Sequence, residues 1–198
     1  KAKAGQFLIV RNHEGGERIP FTFSDWNAEE GWIKFVFMRV GKSTHVFSHV
    51  QPGEYFQDVA GPLGHATVTE GQGRVAVVGG GVGAAVAYPV ARAMVEAGAK
   101  VTVIVGARTK DLLILQDEFA SLDLERLIVV TDDGTAGEKA LVTAPLSELC
   151  EAGELDNVFA VGPAVMMKYC AATTEKFDVP TVVSLNPLMI DGTGMCGA

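Results

Sequence analysis

The sequence is poor in cysteine and lacks long apolar runs, and each shortage excludes a class of protein. Its three cysteines stand at positions 150, 170 and 196, and an odd number of this kind is not a disulfide framework. We expect a reducing compartment, with Cys150 and Cys170 as core side chains of helices. No apolar run approaches the roughly 20 residues of a membrane span, and no signal-peptide pattern is present. The sequence therefore favours a cytoplasmic protein with no membrane partner.

Positive charge is also scarce, which argues against a nucleic-acid partner. Lys and Arg number 16 against 24 Asp and Glu, the net charge is −8, and no basic run is visible. Hydrolytic signatures are missing too, because no Ser–His–Asp pattern and no paired carboxylates occur. His45 and His49 would share one face of a strand, but two histidines without a third ligand rarely form a metal site.

What the sequence does contain is two halves with different patterns. Residues 1–70 hold short runs rich in aromatic and β-branched residues, separated by Gly, Pro and polar breaks: "QFLIV", "RIPFTF", "WIKFVFMRV", "THVFSHV" and "EYFQDVAG". Several short strands at regular spacing predict a small antiparallel barrel or sandwich.

Residues 71–185 alternate apolar runs such as "RVAVVGG" and "KVTVIVG" with helical patterns. This alternation predicts a doubly wound parallel sheet. Within it, Thr109 is expected to cap a helix in which Leu112, Leu115 and Phe119 share one face.

The turn "VVGGGVGAA" is the strongest motif of the second half. A strand runs into glycines and then into a helix, so the backbone can approach a pyrophosphate and the helix N-terminus offers unpaired N–H groups. The acidic residue expected about 20 positions further on is absent, and Arg108 stands there instead. A standard Rossmann NAD site is therefore not indicated. Arg108 is either a contact to a ribose 2′-phosphate or a pyrophosphate, or a solvated loop residue.

Other loops suggest phosphate or nucleotide contacts in both halves. "TDDGTAG" and "VGP" follow the third and fourth strands, and ligands bind at the carboxyl ends of such strands, so the three loops predict one crevice. In the first half, "ERIPFTFSD" offers Arg18, and "VGKST" offers hydroxyls and backbone N–H groups at a strand break. Taken alone, each of these segments is typical of a turn.

Together these motifs resemble a known family. The "RxPxT" segment, "GKST", "AGPLGH", "VVGGGVGAA", "TDDGTAG", "VGPAVMMK" and "SLNPLMIDGTGMCG" are similar in order and spacing to the ferredoxin–NADP reductase superfamily. Within it, the chain resembles the small subunits of NADH-dependent ferredoxin:NADP oxidoreductase, also named sulfide dehydrogenase beta subunits. The electron-transfer subunit of dihydroorotate dehydrogenase is a close relative. Many relatives have Cys before the "GP" of the fourth loop, and Val161 at that place favours the ferredoxin:NADP branch.

The resemblance implies a flavin-binding antiparallel barrel at 1–70, a doubly wound nucleotide-binding domain at 71–185 and the start of a [2Fe-2S] tail at 186–198. For FAD it implies contacts from Arg18, Ile19, Pro20, Phe21, Thr22, Gly41, Lys42, Ser43, Thr44, Gly61, Pro62, Leu63 and Gly64. For a nicotinamide nucleotide it implies Gly79, Gly80, Gly81, Val82, Gly83, Ala84, Ala85, Arg108, Thr131, Asp132, Asp133, Gly134, Gly162, Pro163 and Met166. Of the two nucleotides, NAD is favoured, although Arg108 leaves NADP open. The alternative role for Met166 is helix packing.

The tail carries the remaining implication, a cluster site. Asp191 and Cys196 match cluster ligands of the relatives, with the aspartate in place of one thiolate. The further cysteines that follow in relatives are absent, and the chain begins after their first barrel strand. We therefore expect that the chain is an incomplete copy of a longer protein. Because a [2Fe-2S] cluster needs four ligands, we expect these 198 residues to hold no stable cluster by themselves. The alternative is that Asp191 makes a turn with Gly192.

The function expected from the resemblance is that of an electron-transfer flavoprotein subunit. Hydride would pass from NAD(H) to FAD, and electrons would leave through the cluster to a larger flavin/iron–sulfur oxidoreductase subunit, with ferredoxin as a further candidate partner. Two alternatives stay open: the electron-transfer subunit of dihydroorotate dehydrogenase, and a non-catalytic nucleotide-binding regulatory subunit.

Overall fold

The computed structural model describes residues 1–185, which form two compact units, Lys1–Thr67 and Val68–Leu185. The elements of the first unit are β1 (Phe7–Arg11), β2 (Ile19–Thr22), β3 (Asp25–Asn27), β4 (Trp32–Lys34), α1 (Lys42–Phe47) and β5 (Asp58–Leu63). β1 pairs antiparallel with β2 on one side and β5 on the other, and β3 pairs antiparallel with β4. The chain reversals that the Gly and polar breaks predict are therefore present.

A small apolar core holds the first unit together. Leu8 and Val10 of β1 are fully buried, and they pack with Phe21, Phe23 and Phe47. Burying a side chain of this size contributes roughly 1.5–3 kcal/mol. Ile9, between them, is buried as well, so both faces of β1 are covered over these three residues.

Two strand predictions for the first unit are wrong. "THVFSHV" is not a strand, because α1 covers most of it, and the Thr44 hydroxyl oxygen accepts hydrogen bonds from the Val40 and Gly41 amides at its start. "WIKFVFMRV" pairs only over β4; beyond it Phe35 stacks on Phe21, with ring centroids 5.0 Å apart. In both segments the phenylalanine side chains pack in the core, although their backbone is not paired in a sheet.

The second unit is a single sheet with helices between its strands. Its elements are β6 (Arg74–Gly80), α2 (Ala84–Glu96), β7 (Lys100–Ala107), α3 (Gln116–Ala120), β8 (Arg126–Thr131), β9 (Glu138–Lys139), α4 (Thr143–Glu151), β10 (Asn157–Val161), α5 (Ala164–Glu175) and β11 (Thr181–Val183). Short 3-10 turns cover Gly81–Gly83 and Lys110–Leu112. The sheet order is β11-β10-β6-β7-β8-β9, and every pair is parallel.

The apolar runs explain this sheet. The consecutive residues Val77 and Val78 of β6, and Val103 and Ile104 of β7, are 0% exposed, as expected of strands covered on both faces. Each helix connects one strand to the next parallel one, which is the doubly wound pattern. The predicted fold class, antiparallel sheets followed by a doubly wound parallel sheet, is confirmed.

The helix predicted after Thr109 is wrong in its extent. A 3-10 turn follows Thr109, whose side chain makes no capping hydrogen bond, and α3 begins only at Gln116. Leu115, just before α3, has a φ of 59°, which interrupts a right-handed helix. Of the predicted face, Phe119 is buried but Leu112 is 51% exposed.

Within residues 1–185, no helix is long and apolar enough to cross a membrane. Cys150 and Cys170 are buried in α4 and α5, as their positions predict.

Candidate functional site

The centre of the second unit's sheet has the geometry of a ligand crevice. β6 lies between β7, which follows it in the chain, and β10, which comes much later. The connections from these strands therefore leave the sheet in opposite directions between β6 and β10. In open parallel sheets, ligands bind outside the carboxyl ends of the strands at this switch point. The glycine turn after β6 and the Gly162–Pro163 turn after β10 both lie at that edge.

Three glycines of the turn lie where a Cβ would meet neighbouring atoms, which are backbone atoms at Gly79 and Gly83 and the flexible Met166 side chain at Gly80. A Cβ on Gly79 would lie 3.1 Å from Ala84 Cα, and a Cβ on Gly83 would lie 2.5 Å from the Val161 carbonyl oxygen. A Cβ on Gly80 would overlap Met166 Sδ. These positions bring the start of α2 and the end of β10 close to β6. For Gly79 and Gly83 the lack of a side chain is therefore explained without a ligand.

Gly81 is different, because it faces open space. Its φ is 55°, in the left-handed region that favours glycine, and a Cβ built on it meets no atom within 4 Å. The 3-10 turn Gly81–Gly83 runs directly into α2, which begins at Ala84 and is 13 residues long, and the Ala84 amide already donates to the Gly81 carbonyl oxygen. The N–H groups without intrahelical partners are therefore those at the start of this continuous helical run, beside Gly81. An open backbone beside such a helix N-terminus fits the pyrophosphate of a dinucleotide.

The other predicted residues of this turn are divided between surface and interior. Val82 is exposed beside Gly81, whereas Ala84 and Ala85 are buried in the first turn of α2. The two alanines pack the helix against the sheet, and the Ala84 amide already donates a hydrogen bond to the carbonyl oxygen of Gly81.

Met166 links the two glycine turns. A Cβ on Gly162 would lie 2.9 Å from Met166 Cε and 3.0 Å from the Gly80 carbonyl oxygen. Met166 is half-buried in the first turn of α5, directly after Pro163. It therefore packs over the switch point, and the packing role that the sequence left open is the one its contacts support.

The end of β7 and the loop after β8 are also joined. The Asp132 amide donates to the Ala107 carbonyl oxygen at 3.1 Å, and the Asp133 amide donates to that of Arg108 at 3.2 Å. The Thr131 hydroxyl donates to the Ala136 carbonyl oxygen at 2.7 Å and closes the turn. The second unit thus places the predicted loops after β6, β7, β8 and β10 along one edge of the sheet.

The Asp133 carboxylate is used within its own loop. The Thr135 hydroxyl and amide both donate to Oδ1 of Asp133, at 2.7 and 2.9 Å. These hydrogen bonds from Thr135 hold the pKa of the Asp133 carboxyl below its ordinary value. Asp133 therefore shapes this loop as a carboxylate.

The two phosphate-binding segments predicted in the first unit lie side by side. Ser43, in the first turn of α1, donates a hydrogen bond to the carboxylate of Glu17, the residue before Arg18. Phe21 of β2 and Phe47 of α1 pack with ring centroids 5.7 Å apart. Arg18 is exposed at the start of β2. Arg18 and the N-terminal end of α1 therefore belong to neighbouring segments of the first unit.

The remaining segment of the first unit lies on the other side of β1. Gly61, Pro62 and Leu63 belong to β5, so one strand separates them from β2. A Cβ on Gly64 would lie 2.8 Å from the Phe7 ring, and Gly64 has a φ of 74°. Packing and turn geometry account for this glycine.

Two residues that the sequence did not single out take part in these sites. Glu17 joins the two segments of the first unit, and Thr135 joins the loops after β7 and β8. "GTAG" gave a weak signal, because a threonine two positions after an aspartate often bonds it in a turn. Nothing in the sequence indicates the Glu17–Ser43 pair, which spans 26 positions.

The predicted metal ligands Asp191 and Cys196 lie outside the described residues, so their role stays a prediction. Among residues 1–185 no group of three or more His, Cys, Asp or Glu side chains could hold a metal ion. His45 and His49 lie one turn apart, with ring centroids 4.8 Å apart, and His49 Nδ1 contacts the His45 carbonyl oxygen.

Comparisons with known proteins agree with this geometry. Residues 77–172 match the oxidoreductase NAD-binding domain family. A Thermotoga maritima homolog of the dihydroorotate dehydrogenase B (NAD(+)) electron transfer subunit is 49% identical over 198 residues, which are 100% of this chain and 70% of that protein. A Methanocaldococcus jannaschii protein, a probable electron transfer subunit of the same enzyme, is 33% identical over 98% of this chain and 72% of its own length.

A solved structure gives the same result in three dimensions. A chain of an NADH-dependent reduced ferredoxin-NADP oxidoreductase, studied for flavin-based electron bifurcation, superposes with a TM-score of 0.92. It is 49% identical, and the match covers 100% of this chain and 71% of that one.

Proposed function

The chain belongs to the ferredoxin–NADP reductase superfamily, among electron-transfer subunits related to that of dihydroorotate dehydrogenase B, and from that premise we propose that it passes electrons from NADH through FAD to a larger partner subunit. The observation that carries the proposal is the Gly81 turn. It combines an open left-handed backbone position with the N-terminus of α2 at the switch point of the sheet.

The residues of the second unit bind and orient the nucleotide. The Gly81 backbone and the first amides of the helical run that starts with the Gly81–Gly83 turn receive the pyrophosphate. Arg108 and the loop after β8 lie towards the adenosine ribose, because the second strand of such a unit ends there. Met166, packed on Gly80 and Gly162, fixes the spacing of the two glycine turns.

In the first unit, Arg18 and the amides of α1 hold the flavin pyrophosphate. Glu17 keeps the two segments in register through its contact with Ser43. Bound FAD supplies the ability to take two electrons at once and release them one at a time. We further propose Asp191 and Cys196 as ligands of a [2Fe-2S] cluster in the complete protein, where iron content and electron paramagnetic resonance provide readouts independent of activity.

The test is anaerobic stopped-flow reduction of the flavin-loaded protein by NADH and NADPH. We expect reduction, faster with NADH. Gly81→Val should abolish nucleotide binding and leave the flavin bound, because its side chain would fill the approach to the backbone. The matched control is Gly98→Val, since Gly98 also has a positive φ of 84° and no atom within 4 Å of a built Cβ. It stands at the amino end of β7, away from the proposed site.

A flavin that NADH does not bleach would refute the proposal and favour a regulatory nucleotide-binding subunit. Equal loss of binding in both valine variants would assign the effect to strain. The partner is identified by its acceptor: NADP and ferredoxin indicate the activity named for the solved structure, and orotate indicates that named for the Thermotoga maritima relative.

A further inference from the structure

The loop after β7 is fastened to the loop after β8 on its near side. The amides of Asp132 and Asp133 donate to the carbonyl oxygens of Ala107 and Arg108, at 3.1 and 3.2 Å. These two bonds extend the pairing of β7 and β8 past the end of both strands. They fix the backbone as far as Arg108, but they make no contact with the residues that follow it.

Thr135 fastens the same loop on its far side. Its hydroxyl oxygen accepts a hydrogen bond from the Lys110 amide at 2.9 Å. The hydroxyl proton is donated in turn to Asp133 Oδ1 at 2.7 Å, and the Thr135 amide donates to the same oxygen at 2.9 Å. Arg108 and Thr109 therefore form an arch whose two feet rest on the loop after β8. We name these two residues the 108–109 arch.

We propose that Thr135 is a positioning residue that holds the 108–109 arch in the shape that receives the adenosine half of the dinucleotide. The inference rests on the proposed function, because it deepens the use of the same nucleotide site. The second strand of a βαβ unit ends beside the adenosine ribose, and the arch follows that strand directly. The arch contains no acidic side chain that could bind the ribose hydroxyls. The ligand would therefore contact the backbone of the arch and the Arg108 side chain.

The exposure of these residues argues against a role in the core. Arg108, Asp133 and Thr135 are all exposed, so the bonds of Thr135 do not secure a buried core. Hydrogen bonds at such positions contribute little to global stability. A released arch, however, would have to be ordered when the nucleotide binds, and ordering of loop residues weakens affinity. Loss of the Thr135 hydroxyl should therefore affect affinity more than unfolding.

The test compares Thr135→Val with Thr135→Ser in the purified flavin-loaded protein. Valine keeps the shape and the backbone amide but removes the hydroxyl, whereas serine keeps the hydroxyl. For Thr135→Val we expect the Kd of ADP-ribose and the KM for NADH to rise about threefold to tenfold, the range of one lost hydrogen bond. The limiting rate of flavin reduction at saturating NADH should stay unchanged. Thr135→Ser should restore both constants.

Two further variants complete the design. Thr173→Val removes a hydroxyl that donates to the Tyr169 carbonyl oxygen within α5, and it should leave the Kd unchanged. Asp133→Ala should weaken ADP-ribose binding, and the double variant with Thr135→Val should be no weaker than the poorer single one, because both act through one clamp. Thr135→Ala removes the same hydroxyl and replaces Thr135→Val if the valine variant does not fold.

The outcomes separate the two proposals. If the parent binds ADP-ribose and Thr135→Val binds it equally well, or if Thr135→Ser is as weak as Thr135→Val, the positioning role is refuted and the proposed function stands. A fall in the limiting rate with no change in Kd also refutes it. If the parent itself binds neither NADH nor ADP-ribose, the proposed function fails, and the inference fails with it.

Discussion

Gly83 lies so close to the Val161 carbonyl group that a Cβ at position 83 would stand 2.5 Å from its oxygen and 2.8 Å from Gly162 Cα. Both of these neighbours are backbone atoms at the end of β10, so neither can turn aside as a side chain would. The close packing of the start of α2 against the end of β10 therefore requires glycine at position 83. Gly81, two residues earlier, faces open space instead.

Gly83→Ala is therefore expected to destabilise the protein by about 3 kcal/mol, the upper part of the usual range for overpacking. Gly98→Ala is the control: it adds a side chain at a positive φ but meets no atom within 4 Å, and it should cost about 1 kcal/mol. The free energy of unfolding in urea measures both. Equal values would contradict the close contact with Val161.

Arg18→Ala is expected to weaken FAD retention. Losing a charge-assisted contact to a phosphate costs roughly 1.5–3 kcal/mol, or about 10- to 100-fold in affinity. Flavin content after extensive dialysis provides the measurement. Lys176→Ala, which removes an exposed charge in the second unit, should retain as much flavin as the parent. Equal retention by Arg18→Ala would remove this residue from the flavin site.

The second unit could be predicted from the sequence because its signals are repeated along the chain. Valine-rich runs alternate with helical patterns, and each strand prediction supports the next. The glycine turn could be located for the same reason, since it stands between a strand and a helix. What the sequence did not reveal is that Gly79 and Gly83 are explained by packing against the backbone of Ala84 and Val161, and that Gly80 lies against Met166.

Short and irregular elements were missed for physical reasons. α1 has six residues, too few for a helical period to show, and its valine and phenylalanine are typical of a strand. Leu115 adopts a positive φ that leucine rarely takes, so no residue pattern warns of the break before α3. Thr135 meets Lys110 across 25 positions, a pairing that only the sheet topology creates.

The tail prediction concerns the complete protein. A carboxylate is a harder and less electron-donating ligand than a thiolate, so Asp191 should influence the potential of a bound cluster. Asp191→Cys should keep the cluster and shift its potential and spectrum, whereas Cys196→Ser should damage or lose it. Unchanged iron content, potential and spectrum in Asp191→Ala would leave Asp191 as a turn residue beside Gly192.

The two buried thiols, Cys150 and Cys170, should be unreactive in the folded protein. Burial raises the pKa of the Cys170 thiol to about 11 and raises that of Cys150 as well. In a Cys196→Ser background, both thiols should therefore resist iodoacetamide at pH 8 in the folded protein and react after unfolding, because the thiolate is the nucleophile. Rapid modification of the folded protein would contradict the packing of α4 and α5.

The same shift makes stability depend on pH in a defined direction. Below the ordinary value of 9.0, Cys170 is protonated in both the folded and the unfolded state, and its contribution is fully present. Between 9.0 and about 11 the unfolded thiol ionises first, so the free energy of unfolding falls as pH rises. We expect the stability difference between the parent and Cys170→Ala to shrink across this window. A difference that stays constant from pH 8 to about 11 would refute the shift.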